Sequence, residues 1–283
     1  MKLLVTGATG QLGALVVEAL LKKVPAADIA VSVRDPKKAE HLHGLGVDVR
    51  YGDFHDYASL VKAFAGIDRL LIISSGDLHN RVEQHRAAVR AAQEAKVGFI
   101  AYTSAPNAAN SVFPIAEDHR ETEQIIQKTG IPYSFLRNNW YLENEMGTFQ
   151  AVLNGAPWTI ASGEGKVGWA WRRDYAEAAA TVLAGDGHDN TIYELSGKPI
   201  TQAELASIFA EAMNREVQVV HVSDEEYGKM LSESGVPEAV VPGLVAMQRG
   251  IREGGLDVES EDFGKLLGRP VTPLREAIRQ LLA

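Results

Sequence analysis

Short apolar runs alternate with amphipathic stretches along the first half of the chain. The runs at residues 3–5, 29–33 and 70–73 are mostly apolar and short, which is typical of strands buried on both faces of a sheet. Between them, apolar residues recur at helical spacing. The pattern predicts strands over 3–5, 29–33, 47–51, 69–73, 98–102 and 132–136, and helices over 11–23, 36–45, 57–64, 82–96 and 116–128.

The regular alternation of strand and helix indicates successive βαβ units. We therefore expect an α/β protein with a Rossmann-type, doubly wound parallel sheet over residues 1–140. After residue 140 the alternation weakens, and we expect a smaller, helix-rich C-terminal lobe over residues 141–283, interleaved with the sheet and covering its carboxyl edge. Helix starts are predicted there at Thr201 and Ser223, each with a capping-box Glu, and at Thr272 before Pro273, with strands over 191–195 and 217–222.

Composition narrows the classes of protein. The 283 residues carry a formal net charge of −9 and no basic block, which argues against a nucleic-acid partner. The chain has no cysteine, so disulfides, thiolate catalysis and cysteine-bound metals are excluded. No apolar stretch approaches the roughly 18–20 residues that a membrane helix needs, and the N-terminus does not match a signal peptide. A cytoplasmic protein is the expectation.

Three glycines follow the first predicted strand at regular spacing. Gly7, Gly10 and Gly13 form a G-x-x-G-x-x-G motif at the junction with the first helix. Glycine lets the backbone turn sharply and approach a ligand closely, and a helix start offers free N–H groups to a phosphate. This context predicts the binding of a dinucleotide.

Arg34 ends the second predicted strand, where an acidic residue would hold the ribose 2′-hydroxyl of NAD and an arginine favours the 2′-phosphate of NADP. Asp35 is available for that hydroxyl, but Pro36 after it also makes it a natural helix cap. The sequence therefore favours NADP(H) over NAD(H). Asp53 follows the third strand and has two interpretations, an acceptor for the adenine amino group or a loop turn.

Small residues follow the fourth and fifth strands, where parallel sheets bind ligands. Ser74, Ser75 and Gly76 permit close approach to a ribose or pyrophosphate, and Thr103 has the same position one strand further on; an ordinary loop is the alternative in both cases. No metal site is expected. The histidines at 41, 43, 79 and 85 lack metal-ligand spacing and are expected at the surface, and the tryptophans at 158, 169 and 171 are expected to pack rather than line a cleft.

With these motifs assembled, the chain resembles the NmrA-like branch of the atypical short-chain dehydrogenases/reductases. The glycine motif is shared by the whole superfamily, whereas the segment Leu-Arg-Asn-Asn-Trp-Tyr-Leu-Glu-Asn at 136–144 and Asp118-His119 are much more diagnostic. The resemblance extends over almost the whole chain. It is carried also by Arg34-Asp-Pro36, Gly52-Asp53, Tyr102-Thr-Ser104 and Arg173-Asp-Tyr-Ala176.

The resemblance implies roles for four segments and for Arg34. The pyrophosphate would be held by Gly7, Ala8, Thr9, Gly10, Gln11 and Leu12, and the 2′-phosphate by Arg34. The ribose would lie along the 74–76 loop. The nicotinamide would lie beside Asn138, Asn139, Trp140, Tyr141, Leu142 and Glu143, and the acceptor side would be closed by Ala170, Trp171 and Arg172.

One departure from the wider superfamily bears on the reaction. The Tyr-x-x-x-Lys pair that supplies a general acid is absent, and the chain has Ile115-Ala-Glu-Asp-His119 where it would fall. Reduction of a simple ketone needs that proton, whereas a quinone yields a stabilised hydroquinone anion that water can protonate. Orientation of nicotinamide and acceptor then becomes the main task of the protein.

The leading hypothesis is an NADPH-dependent quinone oxidoreductase, in which hydride passes directly to a small-molecule quinone. His119 and Tyr141 are the candidate catalytic residues, His119 for proton supply. Two alternatives stay open: a non-catalytic NADP(H)-binding redox sensor, and a reductase of dyes or other conjugated electrophiles. The sequence leaves a homodimer open.

Overall fold

The computed structural model describes residues 1–77 and 79–283, and its centre is a seven-stranded sheet in which each neighbouring pair is parallel. The strands are β1 (Leu3–Thr6), β2 (Ile29–Val33), β3 (Asp48–Tyr51), β4 (Arg69–Ile72), β5 (Phe99–Ser104), β6 (Tyr133–Asn138) and β9 (Thr191–Leu195). Their order in the sheet, β3-β2-β1-β4-β5-β6-β9, reverses between β1 and β4, which makes that point the topological switch at which doubly wound sheets bind ligands.

Helices cover both faces of this sheet because successive strand residues point to opposite sides. In β1, Leu3 and Val5 pack into a core with Val16 and Tyr175, whereas Leu4 packs into the opposite core with Phe64. The predicted Rossmann-type fold class is confirmed. The helices are α1 (Gln11–Leu21) and α7 (Arg172–Ala184) on the first face, α3 (Tyr57–Phe64), α4 (Arg81–Glu94) and α5 (Ala116–Gln127) on the second, and the short α2 (Glu40–Gly44) near β3.

A third core holds the C-terminal lobe together. It contains Phe149, Trp158, Trp169 and Phe209, so the expectation that Trp158 and Trp169 pack is confirmed. The lobe contains β7 (Trp158–Ile160) paired with β11 (Val219–His221), β8 (Lys166–Val167) paired with β10 (Ile200–Thr201), and the helices α6 (Met146–Leu153), α8 (Gln202–Met213), α9 (Asp224–Glu233), α10 (Val241–Arg252), α11 (Asp262–Leu267) and α12 (Leu274–Leu281).

Local signals fixed most element starts correctly. The capping boxes at Thr201 and Ser223 are both formed, and the Asp56 carboxylate accepts the Ser59 N–H at the start of α3. Thr272 is different: its N–H and hydroxyl both donate to Asp174, 2.8 and 2.9 Å away, and α12 begins without a side-chain cap. The prediction of Thr272 as a cap is wrong because a buried carboxylate binds it instead.

The chain after residue 140 contributes to both parts of the molecule. Strand β9 completes the large sheet beside β6, and α7 packs against α1. The division at residue 140 into two domains stays a prediction. Among the described residues, no helix is long and apolar enough to cross a membrane, and no group of three or more His, Asp or Glu side chains could hold a metal ion.

Candidate functional site

A cleft of about 960 Å³ lies at the carboxyl ends of the parallel strands, where the loops after β1 to β6 meet the C-terminal lobe. Its position at the switch point is the one that the fold favours for ligands. The predicted site residues that line it are Gly7, Thr9, Gly10, Gln11, Leu12, Arg34, Asp53, Ser74, Ser75, Gly76, Thr103, His119, Asn138, Asn139, Trp140, Tyr141 and Arg172.

The loop after β1 is shaped for a close-lying anionic group. Gly7 has φ +62°, a conformation that favours glycine, and a Cβ on Gly13 would lie 2.3 Å from the Gly7 carbonyl oxygen. Helix α1 then begins without a side-chain cap, so its first N–H groups stay available to a ligand. Ala8 is buried beside this loop and does not line the cleft.

Positive charge lies at the end of β2. Arg34 and Lys38 both line the cleft, whereas Lys37 does not. The Asp35 carboxylate accepts the Lys37 backbone N–H at 3.1 Å and caps a 3₁₀ turn over Pro36–Ala39, so its interpretation as a helix cap is confirmed. Arg34 and Lys38 supply two positive charges, and the Asp35 carboxylate is already engaged by a backbone N–H. This arrangement suits the 2′-phosphate of NADP better than the 2′-hydroxyl of NAD.

Side chains beneath the cleft hold the loop after β4 in place. The hydroxyls of Thr6 and Thr103 accept the backbone N–H groups of Ile73 and Ser74 at 2.9 and 2.8 Å. The Ser75 N–H donates to His85, which is fully buried, so the expectation of a surface position is wrong for this histidine. The loop is therefore a fixed wall of the cleft.

Asp53 forms the loop turn that is one of its two interpretations. It lines the cleft, and its carboxylate accepts the His55 backbone N–H at 3.0 Å, which is the expected loop turn. One face of the carboxylate is thus occupied by the turn. The structure brings Asp53 to the same cleft as Arg34, and its contact with adenine stays a prediction.

The segment after β6 supplies the polar floor of the cleft. The Asn138 side-chain N–H donates to the Tyr141 hydroxyl at 3.0 Å, and its Oδ1 is buried without a partner among the described residues. An orphaned buried acceptor is costly unless a ligand supplies a donor. The Asn139 side chain instead donates to Ser196 and to the Leu256 carbonyl, and this joins the sheet to the lobe.

Four further predicted site residues, two from this segment and two from residues 170–171, lie behind the residues that line the cleft. Leu142 is buried in the lobe core, and the Glu143 carboxylate accepts the Arg172 backbone N–H. Ala170 is fully buried in a bridge with Tyr141, and Trp171 is partly buried against the lobe core. None of these four lines the cleft, and their contact with a ligand stays a prediction.

Arg172 crosses the edge of the cleft. Its guanidinium donates to the Gln11 side chain of the glycine loop and lies 4.9 Å from the centre of the Tyr141 ring. The start of α7 thereby contacts both the phosphate-shaped loop and the polar floor. Tyr141 is a poor proton donor, since burial raises the pKa of its phenol.

One end of the cleft is apolar and was missed by sequence reasoning. Phe113 lies edge-on to Trp140, with ring centres 5.6 Å apart, and Ile115 and Leu256 complete the lining. The Trp140 indole N–H donates to the Glu145 carboxylate, which fixes the ring. Phe113 lies in a segment without periodicity and Leu256 comes from the lobe, so no local pattern in the sequence marks either residue.

His119 lines the cleft one helical turn after Ile115. Its Nδ1 lies 2.8 Å from the Tyr102 hydroxyl. Burial, together with Arg81 and His85, holds the pKa of His119 well below its ordinary value. The ring is therefore neutral at neutral pH.

The fold and the cleft define a Rossmann-type dinucleotide-binding protein, with a phosphate-shaped loop at one end of its cleft and an apolar pocket at the other. The chain belongs to the NmrA-like family, whose model matches residues 1–261. The resemblance indicated by the sequence motifs is confirmed.

Known proteins share nearly the full length of the chain. Quinone oxidoreductase 2 of Escherichia coli strain K12 is 40% identical over 98% of this chain and 97% of its own. The crystal structure of the E. coli NADPH-dependent quinone oxidoreductase with NADPH has a TM-score of 0.95 at 39% identity, covering 99% of this chain and 100% of that one. Citrobacter sp. triphenylmethane reductase with NADP(H) has a TM-score of 0.94 at 42% identity, covering 99% of each.

Proposed function

We propose that this protein is an NADPH-dependent quinone oxidoreductase. The observation that carries the proposal is one continuous cleft with a phosphate-shaped loop and two cations at one end, and an apolar pocket without a Tyr-x-x-x-Lys pair at the other. The full-length similarity to quinone oxidoreductase 2 supports it.

The chain's own residues account for the preference for NADPH. The glycine loop and the start of α1 would hold the pyrophosphate, and Arg34 with Lys38 would hold the 2′-phosphate. The orphaned Oδ1 of Asn138 would accept from the nicotinamide carboxamide. Because Asn138 donates to the Tyr141 oxygen, the Tyr141 O–H is left free to donate to a ligand.

Bound NADPH supplies a hydride, and the chain's task is to orient the acceptor and exclude water. A flat quinone fits against Trp140, whose ring is fixed by Glu145 and by Phe113. Hydride addition leaves a hydroquinone anion, a weaker base than an alkoxide. Loss of the superfamily's general acid is therefore less damaging for a quinone than for a ketone.

Quinone-dependent oxidation of NADPH by the purified protein tests the proposal. We expect turnover with several quinones, faster with NADPH than with NADH. Measurable NADPH binding without turnover of any quinone would contradict the proposal and favour the non-catalytic redox sensor. That alternative predicts instead different affinities for NADPH and NADP⁺ and a protein partner.

A second candidate is reduction of dyes or other conjugated electrophiles, which the similarity to triphenylmethane reductase supports. An acceptor panel of quinones, triphenylmethane dyes and enones, compared by kcat/KM, separates the two. A homodimer and a cytoplasmic location stay predictions; light scattering at several protein concentrations checks the first.

A further inference from the structure

A chain of buried polar side chains connects the loop after β4 to His119. It consists of His85 on α4, Tyr102 on β5, and Thr122 with His119 on α5. His85 and Tyr102 are fully buried, and neither has a role in the proposed reaction so far. A hydrogen-bonded chain of this kind determines which nitrogen of each imidazole carries the proton.

The proton positions begin at His85. The Ser75 backbone N–H donates to His85 Nε2 at 3.0 Å, so this nitrogen is an acceptor and carries no proton. Burial lowers the pKa of His85 to about 3, so the ring is neutral and its proton is on Nδ1. The Thr122 hydroxyl donates to the Asp118 carbonyl, which leaves its oxygen free to accept from His85 Nδ1 at 2.9 Å.

The assignment continues to the cleft through Tyr102. Since the nearest nitrogen of His85 is itself a donor and lies 3.4 Å away, the Tyr102 hydroxyl donates to His119 Nδ1, which is 2.8 Å away. A neutral His119 that accepts at Nδ1 carries its proton on Nε2. Among the described residues Nε2 has no protein partner, although the side chain lines the cleft. The charge of Arg81 from α4, which is paired with Asp118 of α5, disfavours a second proton on the ring.

We propose that Tyr102 and His85 are positioning residues that hold His119 as a neutral Nε2–H hydrogen-bond donor to the quinone oxygen. This inference rests on the proposed function. As the quinone gains a hydride from NADPH, negative charge develops on that oxygen, and a preorganised donor stabilises it. His119 keeps its own proton, so the hydroquinone would receive its hydride from bound NADPH and its proton from water.

Four variants test whether His119 acts as a hydrogen-bond donor or as a general acid, and whether Tyr102 positions it. His119→Gln retains an N–H donor that cannot transfer a proton, so we expect kcat within about threefold of wild type; His119→Leu has no donor and should lose on the order of 10²-fold. Tyr102→Phe should lower kcat roughly fivefold without changing NADPH affinity. Tyr133→Phe is its control, because the Tyr133 hydroxyl is bonded to Gln127 away from the cleft.

The pH dependence of kcat and the nitrogen-15 NMR spectra of the histidines would not change if Tyr102 and His85 had only a structural role. We expect wild-type kcat to be flat from about pH 6 to 8, and nitrogen-15 spectra to show His119 protonated at Nε2 and His85 at Nδ1, with the His119 preference lost in Tyr102→Phe. A His119 protonated at Nδ1, or a kcat titration abolished equally by His119→Gln and His119→Leu, would overturn the inference. If no quinone is reduced, the proposed function fails, whereas the spectra still test the proton positions.

Discussion

The two halves of the cleft are built in different ways. The cofactor half comes from loops that directly follow β1, β2 and β4, and its shape depends on glycines and on backbone N–H groups held by Thr6 and Thr103. The proposed acceptor half comes from three separate parts of the chain, which meet through the lobe: Phe113 with Ile115, Trp140, and Leu256. The glycine loop thus rests on local geometry, whereas the apolar pocket that is proposed to hold the acceptor rests on tertiary packing.

The largest effect is expected from Gly13→Ala in the cofactor half. The new Cβ would lie 2.3 Å from the Gly7 oxygen, so the loop must move; we expect the free energy of unfolding to fall by about 3 kcal/mol and NADPH binding to be lost. Gly147→Ala in α6, where no atom lies within 4 Å of the added carbon, should stabilise the protein by about 0.5–1 kcal/mol. Urea unfolding and NADPH titration measure both variants. Unchanged NADPH binding in Gly13→Ala would show that the cofactor half does not depend on the geometry of the glycine loop.

Arg34→Ala should weaken NADPH binding by about 2 kcal/mol and leave NADH binding nearly unchanged, because only NADPH carries the phosphate. Lys37→Ala is the matched control, since Lys37 lies next to the site but does not line the cleft. Isothermal titration with both nucleotides measures the difference. Equal losses for NADPH and NADH would exclude a role at the 2′-phosphate.

His85 lies beneath the loop where the two halves of the cleft join. Because folding lowers its pKa, we expect the free energy of unfolding to depend on pH. Its folded-state pKa of about 3 is below the unfolded value of about 6.5, so below pH 6.5 the unfolded chain binds a proton that the folded chain does not. Stability is complete above about pH 6.5 and is lost towards pH 3, by up to about 1.4 kcal/mol per pH unit from this group. Urea unfolding at several pH values should show a shallower slope for His85→Gln; parallel curves would contradict the assignment.

Phe113→Leu should affect only the acceptor half. Loss of the edge-on contact with Trp140 is expected to raise the quinone KM about fivefold, which corresponds to about 1 kcal/mol, with NADPH affinity unchanged. Phe149→Leu, in the lobe core outside the cleft lining, should lower stability without changing KM. A parallel change in NADPH affinity would mean that the halves are not separable.

The same difference explains how much the sequence alone could predict. The strand at Ile29–Val33, the capping boxes and the glycine loop follow from local rules, and the structure has them where the sequence places them. The acceptor pocket follows no such rule, because Phe113 and Leu256 meet only after the lobe has packed. Thr272 and His85 show the same limit, because tertiary contacts decide what each side chain binds: Thr272 binds the Asp174 carboxylate, and His85 binds the Ser75 N–H of the loop after β4.

The position of β9 limits where the chain can be truncated or recombined with a relative. Although Thr191–Leu195 follows the predicted boundary at residue 140, its backbone completes the sheet edge beside β6, and the Leu195 carbonyl accepts the Asn139 N–H. Truncation after residue 140 would leave β6 with a bare row of unpaired N–H and C=O groups, a template for aggregation. Recombination between relatives will therefore preserve folding only if the exchanged segment keeps β6 and β9 from the same parent or from parents with matching edges.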